Sequence, residues 1–116
     1  IMNEKTSIPN IIHFVFVNET FLEPFLFYHY LAIYSAYLVN KPDKIYFYHK
    51  ALPFGENWEK LLEIPNLILE EVDIPSKLKE KPLLNYAHKA DVIRLEKLYE
   101  RGGVYMDMDT ISVRPL

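Results

Sequence analysis

The stretch that decides the fold is Asn85–Asp109, NYAHKADVIRLEKLYERGGVYMDMD. Ala87, Asp91, Arg94 and Leu98 recur at i, i+4, i+7 and i+11, which is one face of a helix. Gly102 and Gly103, two of the chain's three glycines, follow at once. Gly102 suits the left-handed residue that ends a helix, and Gly103 lets the chain turn directly into a strand. Val104 to Asp109 reads as that strand. Val104, Met106 and Met108 would share one face, and Tyr105, Asp107 and Asp109 the other. The two acids would then lie roughly 7 Å apart along the strand. Paired carboxylates on a largely buried strand are costly unless a cation meets them, and a divalent metal is the obvious candidate. Taken singly the residues say less. Asp91 and Arg94 at i,i+3 could form an ordinary helix salt bridge, and the two acids could belong to an exposed edge strand or turn. Their order along the chain makes the set specific.

Upstream, Ile11–Val17 (IIHFVFV) is a nearly continuous apolar run, as expected of a central parallel strand. Thr20 is placed to cap a helix over Pro24–Val39, on which Tyr30, Tyr34 and Tyr37 share a face. Ile45–Tyr48 and Leu67–Val72 read as further strands. Gly55–Ile64 reads as a short helix with Trp58, Leu61 and Leu62 inward, and a lysine-rich link leads to Pro82. Alternation of this kind predicts an α/β fold, a mostly parallel sheet with helices on both faces. Ligands bind such sheets outside the carboxyl ends of the strands. The acids and the end of the first strand, Phe16, Val17 and Asn18, should face one crevice there.

The chain has 116 residues, half of them hydrophobic, which suffices for one core but is small for an enzyme with separate donor and acceptor sites. The net charge of −3 comes from interspersed acids and bases, with no basic stripe for nucleic acid. The absence of cysteine excludes a disulfide framework and any thiolate site. It suits a reducing, cytoplasmic compartment, although a longer anchored form would suit a Golgi-type membrane. The uncharged stretch Pro24–Asn40 falls short of the ~20 apolar residues that span a bilayer.

Asn85–Leu116 resembles glycosyltransferase family 32, the DXD-containing sugar transferases related to the catalytic core of the glucosylating bacterial toxins. The resemblance rests on Ala90-Asp91-Val92-Ile93-Arg94, then Leu98-Tyr99-Glu100-Arg101-Gly102-Gly103-Val104-Tyr105-Met106-Asp107-Met108-Asp109, then Arg114-Pro115-Leu116. Ile8-Pro9-Asn10-Ile11-Ile12-His13 is similar to the family's opening strand. The resemblance implies a GT-A-like domain over 1–116, the donor-binding half only, truncated at the C-terminus. It implies transfer of a hexose, with retention, from a UDP- or GDP-sugar to a hydroxyl of a glycan, lipid or protein. Mn²⁺ or Mg²⁺ would be the cofactor. Asp109 would ligate the metal on the diphosphate. Asp107 would contact ribose and sugar and reach the metal through water. Asp91 would bind sugar hydroxyls, Arg94 would fork toward sugar and diphosphate, and Tyr105 would lie near the nucleoside. Phe16 and Val17 would line the donor pocket. Hard oxygen ligands suit such an ion, and a planar guanidinium holds two oxygens at once.

In the family the aromatic residue at Phe16 is often Trp, stacked on the base, and Asn18 stands where glycine is frequent. Phe16 could equally pack in the core. His13 reads as a hydrogen-bonded strand histidine in place of a ligand. Two other functions fit parts of the sequence. A non-catalytic, metal-dependent nucleotide-sugar binding module would suit the short length. Asp107-Met108-Asp109-Thr110 also spells the D-x-D-x-T of haloacid-dehalogenase-type phosphatases, with Asp107 as nucleophile, but that motif opens its domain.

Overall fold

Among the described residues the chain runs β1 (Ile11–Phe16), α1 (Phe27–Asn40), β2 (Lys44–His49), α2 (Glu56–Leu61), β3 (Leu67–Glu71), β4 (Lys77–Leu78), β5 (Lys81–Pro82), α3 (Tyr86–Arg101) and β6 (Val104–Tyr105). The structure, a computed structural model, describes residues 8–16, 24–72, 77–78, 81–82, 86–108 and 110–114, with the backbone alone at 77–78, 81–82 and 86–91.

β1 lies inside a four-stranded sheet of order β3-β2-β1-β6. Each neighbouring pair is parallel, with Ile11–Phe16 against Lys44–His49, Ile45–His49 against Leu67–Glu71, and Ile12–His13 against Val104–Tyr105. The expected parallel α/β sheet is therefore present. The chain steps outward from β1 to β2 to β3, then α3 carries it back across to β6 on the other side of β1. That reversal makes the carboxyl ends of β1 and β6 a topological switch point, where open α/β sheets hold their ligands.

Alternation along the strands divides the core between two faces. Ile12, Phe14, Phe16, Ile45 and Phe47 pack with Phe25, Ile33, Ala36, Trp58, Leu61 and Ile64 on the side of α1 and α2. Val15 and Tyr48 pack with Ile93 of α3 on the other. Burial on both faces explains why β1 is apolar at nearly every position. The tyrosine face of α1 is also as expected. Tyr30, Tyr34 and Tyr37 lie half-buried against the first cluster, with ring centroids 5.3 and 6.2 Å apart along the row.

Several boundaries differ from the sequence reading. α1 begins at Phe27 because Pro24 and Phe25 are extended against Phe54, with the Phe25 N–H donating to the Phe54 carbonyl at 2.9 Å. Thr20 lies outside the described residues. Leu62 is exposed, because α2 ends at Leu61 and the chain turns there. The lysine-rich link holds a small antiparallel pair, β4 and β5, that the composition did not suggest. The largest difference concerns the last strand. β6 is two residues long, and Asp107 lies beyond it.

Candidate functional site

The site is built on the turn that joins α3 to β6. Gly102 has φ +72°, the left-handed stop expected of it, and Gly103 has φ +97°. A side chain at Gly103 would run into the carbonyl oxygen of Ile11. Glycine is required there because the turn passes directly against β1. The Met106 N–H then donates to the His13 carbonyl at 3.0 Å, the last rung of the parallel ladder. After it the chain leaves the sheet, and the Thr110 N–H donates to the Asp107 carbonyl at 3.2 Å, closing a turn.

This corrects the expected strand geometry. Asp107 lies beyond the end of β6 and does not project from a buried strand face, and the separation expected of the two acids falls on Asp109, which is outside the described residues. Asp107 is exposed at the first position of a turn, a place that suits aspartate and spares it the cost of burial. The alternation on either side of it persists. Met106 and half-buried Val104 and Met108 pack toward α1 and α2, and Tyr105 toward α3.

Asp107 lines an open cavity of about 460 Å³ with Val15, Tyr28, His29 and Met108. The cavity lies at the carboxyl ends of β1 and β6, on the switch point. Tyr28 and His29, in the first turn of α1, were not singled out from the sequence. The available signal was positional, since the helix that follows β1 must start near the carboxyl end of β1. His29 Nδ1 accepts the Leu26 N–H at 3.1 Å, so in its neutral form the ring carries its proton on Nε2. Its ring meets Tyr28 at 4.2 Å, Phe16 at 5.1 Å and Phe25 at 5.2 Å.

The other expected site residues are placed as follows. Arg94 lies with its guanidinium 5.3 Å from the centre of the Tyr105 ring, so the helix and the strand that feed the acids meet through these two side chains. Asp91 is in α3 one turn before Arg94, where its backbone alone is described. Val17, Asn18 and Asp109 lie outside the described residues. Phe16 turns into the core. It is 9% exposed and packs against Phe25 and Phe47, so its ring belongs to the wall behind the cavity.

Beneath the turn is a polar network. His13 is fully buried, as the strand-histidine reading expected, with Nδ1 2.8 Å from the Tyr48 hydroxyl and Nε2 2.7 Å from the Gly102 carbonyl. Arg101 Nη1 donates to the Tyr48 hydroxyl at 3.1 Å and pairs with Glu70 at 2.8 Å, and Lys97 reaches the same carboxylate at 3.0 Å. Burial pushes the Tyr48 phenol up to about 12, against the pull of Arg101. Burial also holds His13 below the usual histidine range, and Arg101 adds to that effect. The hydrogen bond to Gly102 and the charge of Glu70 oppose it. Burial of Glu70 is outweighed by hydrogen bonds from Lys97 and Arg101, so its carboxyl titrates below the ordinary value.

A family model described as "Glycosyltransferase sugar-binding region containing DXD motif" matches residues 6–116. The chain belongs to this family. Among curated proteins it is similar to "Glucan organizing enzyme 1" of Cryptococcus neoformans var. grubii serotype A, with 39% identity over 89 residues. Those residues are 77% of this chain and 24% of the relative, so the chain spans about a quarter of that protein's length. No solved structure gives a significant match. Asp107-Met108-Asp109 lies within the matched region and spells D-x-D, and Asp107 is the acid of the two that the structure describes. No cluster of three potential metal-ligating side chains occurs among the described residues. A hard divalent ion needs few protein carboxylates when a diphosphate supplies the rest. One exposed aspartate on an open cavity is compatible with that arrangement. No helix among the described residues is long and apolar enough to cross a membrane.

Proposed function

We propose that this chain is the donor-binding part of a retaining, metal-dependent hexosyltransferase that takes a UDP- or GDP-sugar. The observation that carries the reading is the position of Asp107. It stands exposed on a cavity at the switch point of the sheet, in a chain of the DXD glycosyltransferase family. In this reading Asp107 and Asp109 hold Mn²⁺ or Mg²⁺ against the diphosphate. The ion, when bound, neutralises charge growing on the departing nucleoside diphosphate. Asp91 binds sugar hydroxyls. Arg94, whose rigid fork suits paired oxygens, spans sugar and diphosphate from its place over Tyr105. Tyr105 lies near the nucleoside, and the half-exposed ring of Tyr28 takes the base-facing role that the buried Phe16 leaves open.

Titration calorimetry of the chain with UDP and GDP, each with and without Mn²⁺, tests this directly. One of the two should bind only with the metal, and Asp107→Asn should weaken that binding at least tenfold. Metal-independent binding, or none by a folded chain, overturns the reading. Binding without donor hydrolysis would assign the chain to the non-catalytic module.

A further inference from the structure

His13 grips the segment that leads to the acids at both of its ends. Its main-chain carbonyl accepts the Met106 N–H at 3.0 Å, and its ring nitrogen Nε2 lies 2.7 Å from the Gly102 carbonyl. Between those two points lie Gly103, Val104 and Tyr105, and Asp107 follows Met106 directly.

The proton positions follow from chemistry. A carbonyl can only accept, so Nε2 carries the hydrogen and donates it to Gly102. Nδ1 must then accept, and its partner at 2.8 Å is the Tyr48 hydroxyl. That oxygen accepts in turn from Arg101 Nη1, which is tied to Glu70. The result is one directed chain of donors running from Arg101 through Tyr48 and His13 to the turn. The ring lies fully buried beside two side chains of β2 and nearly parallel to them, with centroids 5.5 Å from Tyr46 and 5.7 Å from Tyr48 and interplanar angles of 11° and 8°. The Gly102 carbonyl stands just past the end of α3, outside the helix's own hydrogen bonds, and His13 supplies its partner from β1.

We propose that His13 is a positioning residue for Asp107, a clamp whose side chain and main chain together fix the Gly102–Met106 segment against β1. The proposal rests on the donor-site reading above for its functional consequence. Its structural half stands independently.

Native-state amide exchange tests the structural half. In His13→Leu the protection of the Met106 amide should fall about tenfold to a hundredfold more than that of Ile33, the cost of leaving the Gly102 carbonyl and Tyr48 hydroxyl without their partner. Ile33 reports the opposite face of the core. His13→Gln, whose amide can still donate to Gly102, should recover most of the difference. If His13→Leu does not fold, Tyr48→Phe removes only the hydroxyl and should loosen Met106 more than Ile33. Equal losses at the two amides would make His13 an ordinary core residue and overturn the clamp. Mn²⁺ affinity, read by electron paramagnetic resonance on the folded variants, tests the functional half. It should fall about tenfold in His13→Leu and return in His13→Gln. An unchanged affinity in a loosened variant overturns the link to Asp107. A wild-type chain that binds no Mn²⁺ defeats the donor-site reading, while the exchange comparison still decides the clamp.

Discussion

Replacing Gly103 with alanine should be among the most damaging single-methyl changes in this chain. Two costs add at that position. The backbone sits at φ +97°, which a residue with a Cβ adopts at a cost of about 1–3 kcal/mol. The new methyl would also meet the Ile11 carbonyl oxygen well inside contact distance, with Ile11 Cβ at 3.0 Å. Relief would require moving β1, which is paired on both sides, and overpacking of this kind costs about 1–3 kcal/mol more. The sum of about 2–6 kcal/mol is a large share of the 5–15 kcal/mol that typically stabilises a domain. Gly55 provides the control. Its φ is +112°, yet a methyl there has nothing within 4 Å, so Gly55→Ala isolates the backbone cost. Urea unfolding followed by the fluorescence of Trp58, the chain's single tryptophan and a core residue, reads both variants. Gly103→Ala should lose at least 1 kcal/mol more than Gly55→Ala, the low end of the overpacking range. Equal losses would show that the turn does not press against β1, and the placement of Asp107 would lose its structural basis.

Three further outcomes are expected. Glu70→Gln removes the charge shared by Lys97 and Arg101 and turns one of the two accepting oxygens into a donor, and should cost about 1–3 kcal/mol, whereas Glu100→Gln, half-exposed and paired with Lys97 at i,i+3, should cost under about 0.5 kcal/mol. Similar losses in urea unfolding would refute the central role of Glu70. His13 and His49 both titrate below the ordinary histidine value, chiefly because burial disfavours the charged ring. The unfolded chain therefore binds more protons just below the ordinary value of 6.5, and stability should fall as pH drops through that point toward the folded-state values. Unfolding curves that coincide at the two ends of that window would contradict this, and His13→Gln should flatten the slope. Tyr28→Ala should weaken metal-dependent nucleotide binding about tenfold by removing an aromatic face from the cavity. Unchanged affinity in calorimetry would remove Tyr28 from the donor site.

The sequence was most legible where local chemistry agreed with tertiary packing. The doubly buried strand at Ile11–Phe16, the helix ending at Gly102 and the apolar side of Val104 and Met106 all follow from periodicity and glycine geometry. The Asp107 strand was misread because alternation continues for a residue or two after the ladder has stopped. Only the partner strand decides where pairing ends, and here the last rung is Met106 on His13. Phe16 illustrates a second limit. Its position at the strand end fits a base-stacking ring and a core ring equally, and the nearness of Phe25 and Phe47 decides between them. Tyr28 and His29 were obscured by the denser aromatic row that begins at Tyr30. The Glu70 network joins residues of β3 and α3, whose adjacency no local pattern announces.

The strand order has a consequence for how the chain is made. β1 is synthesised before both of its sheet neighbours, and one of them, β6, is translated after every other strand and helix described. His13 and Gly102 are separated by 89 positions, so the contact between them closes a very long loop. At typical synthesis rates β1 waits roughly 5–20 s for that partner. Contacts of such long range form slowly, because their loop entropy is spent before they give anything back. The acid-bearing turn therefore has no autonomous folding unit beneath it, and any lesion that delays or frays the C-terminal third should erase the site while much of β1–β3 is still assembled.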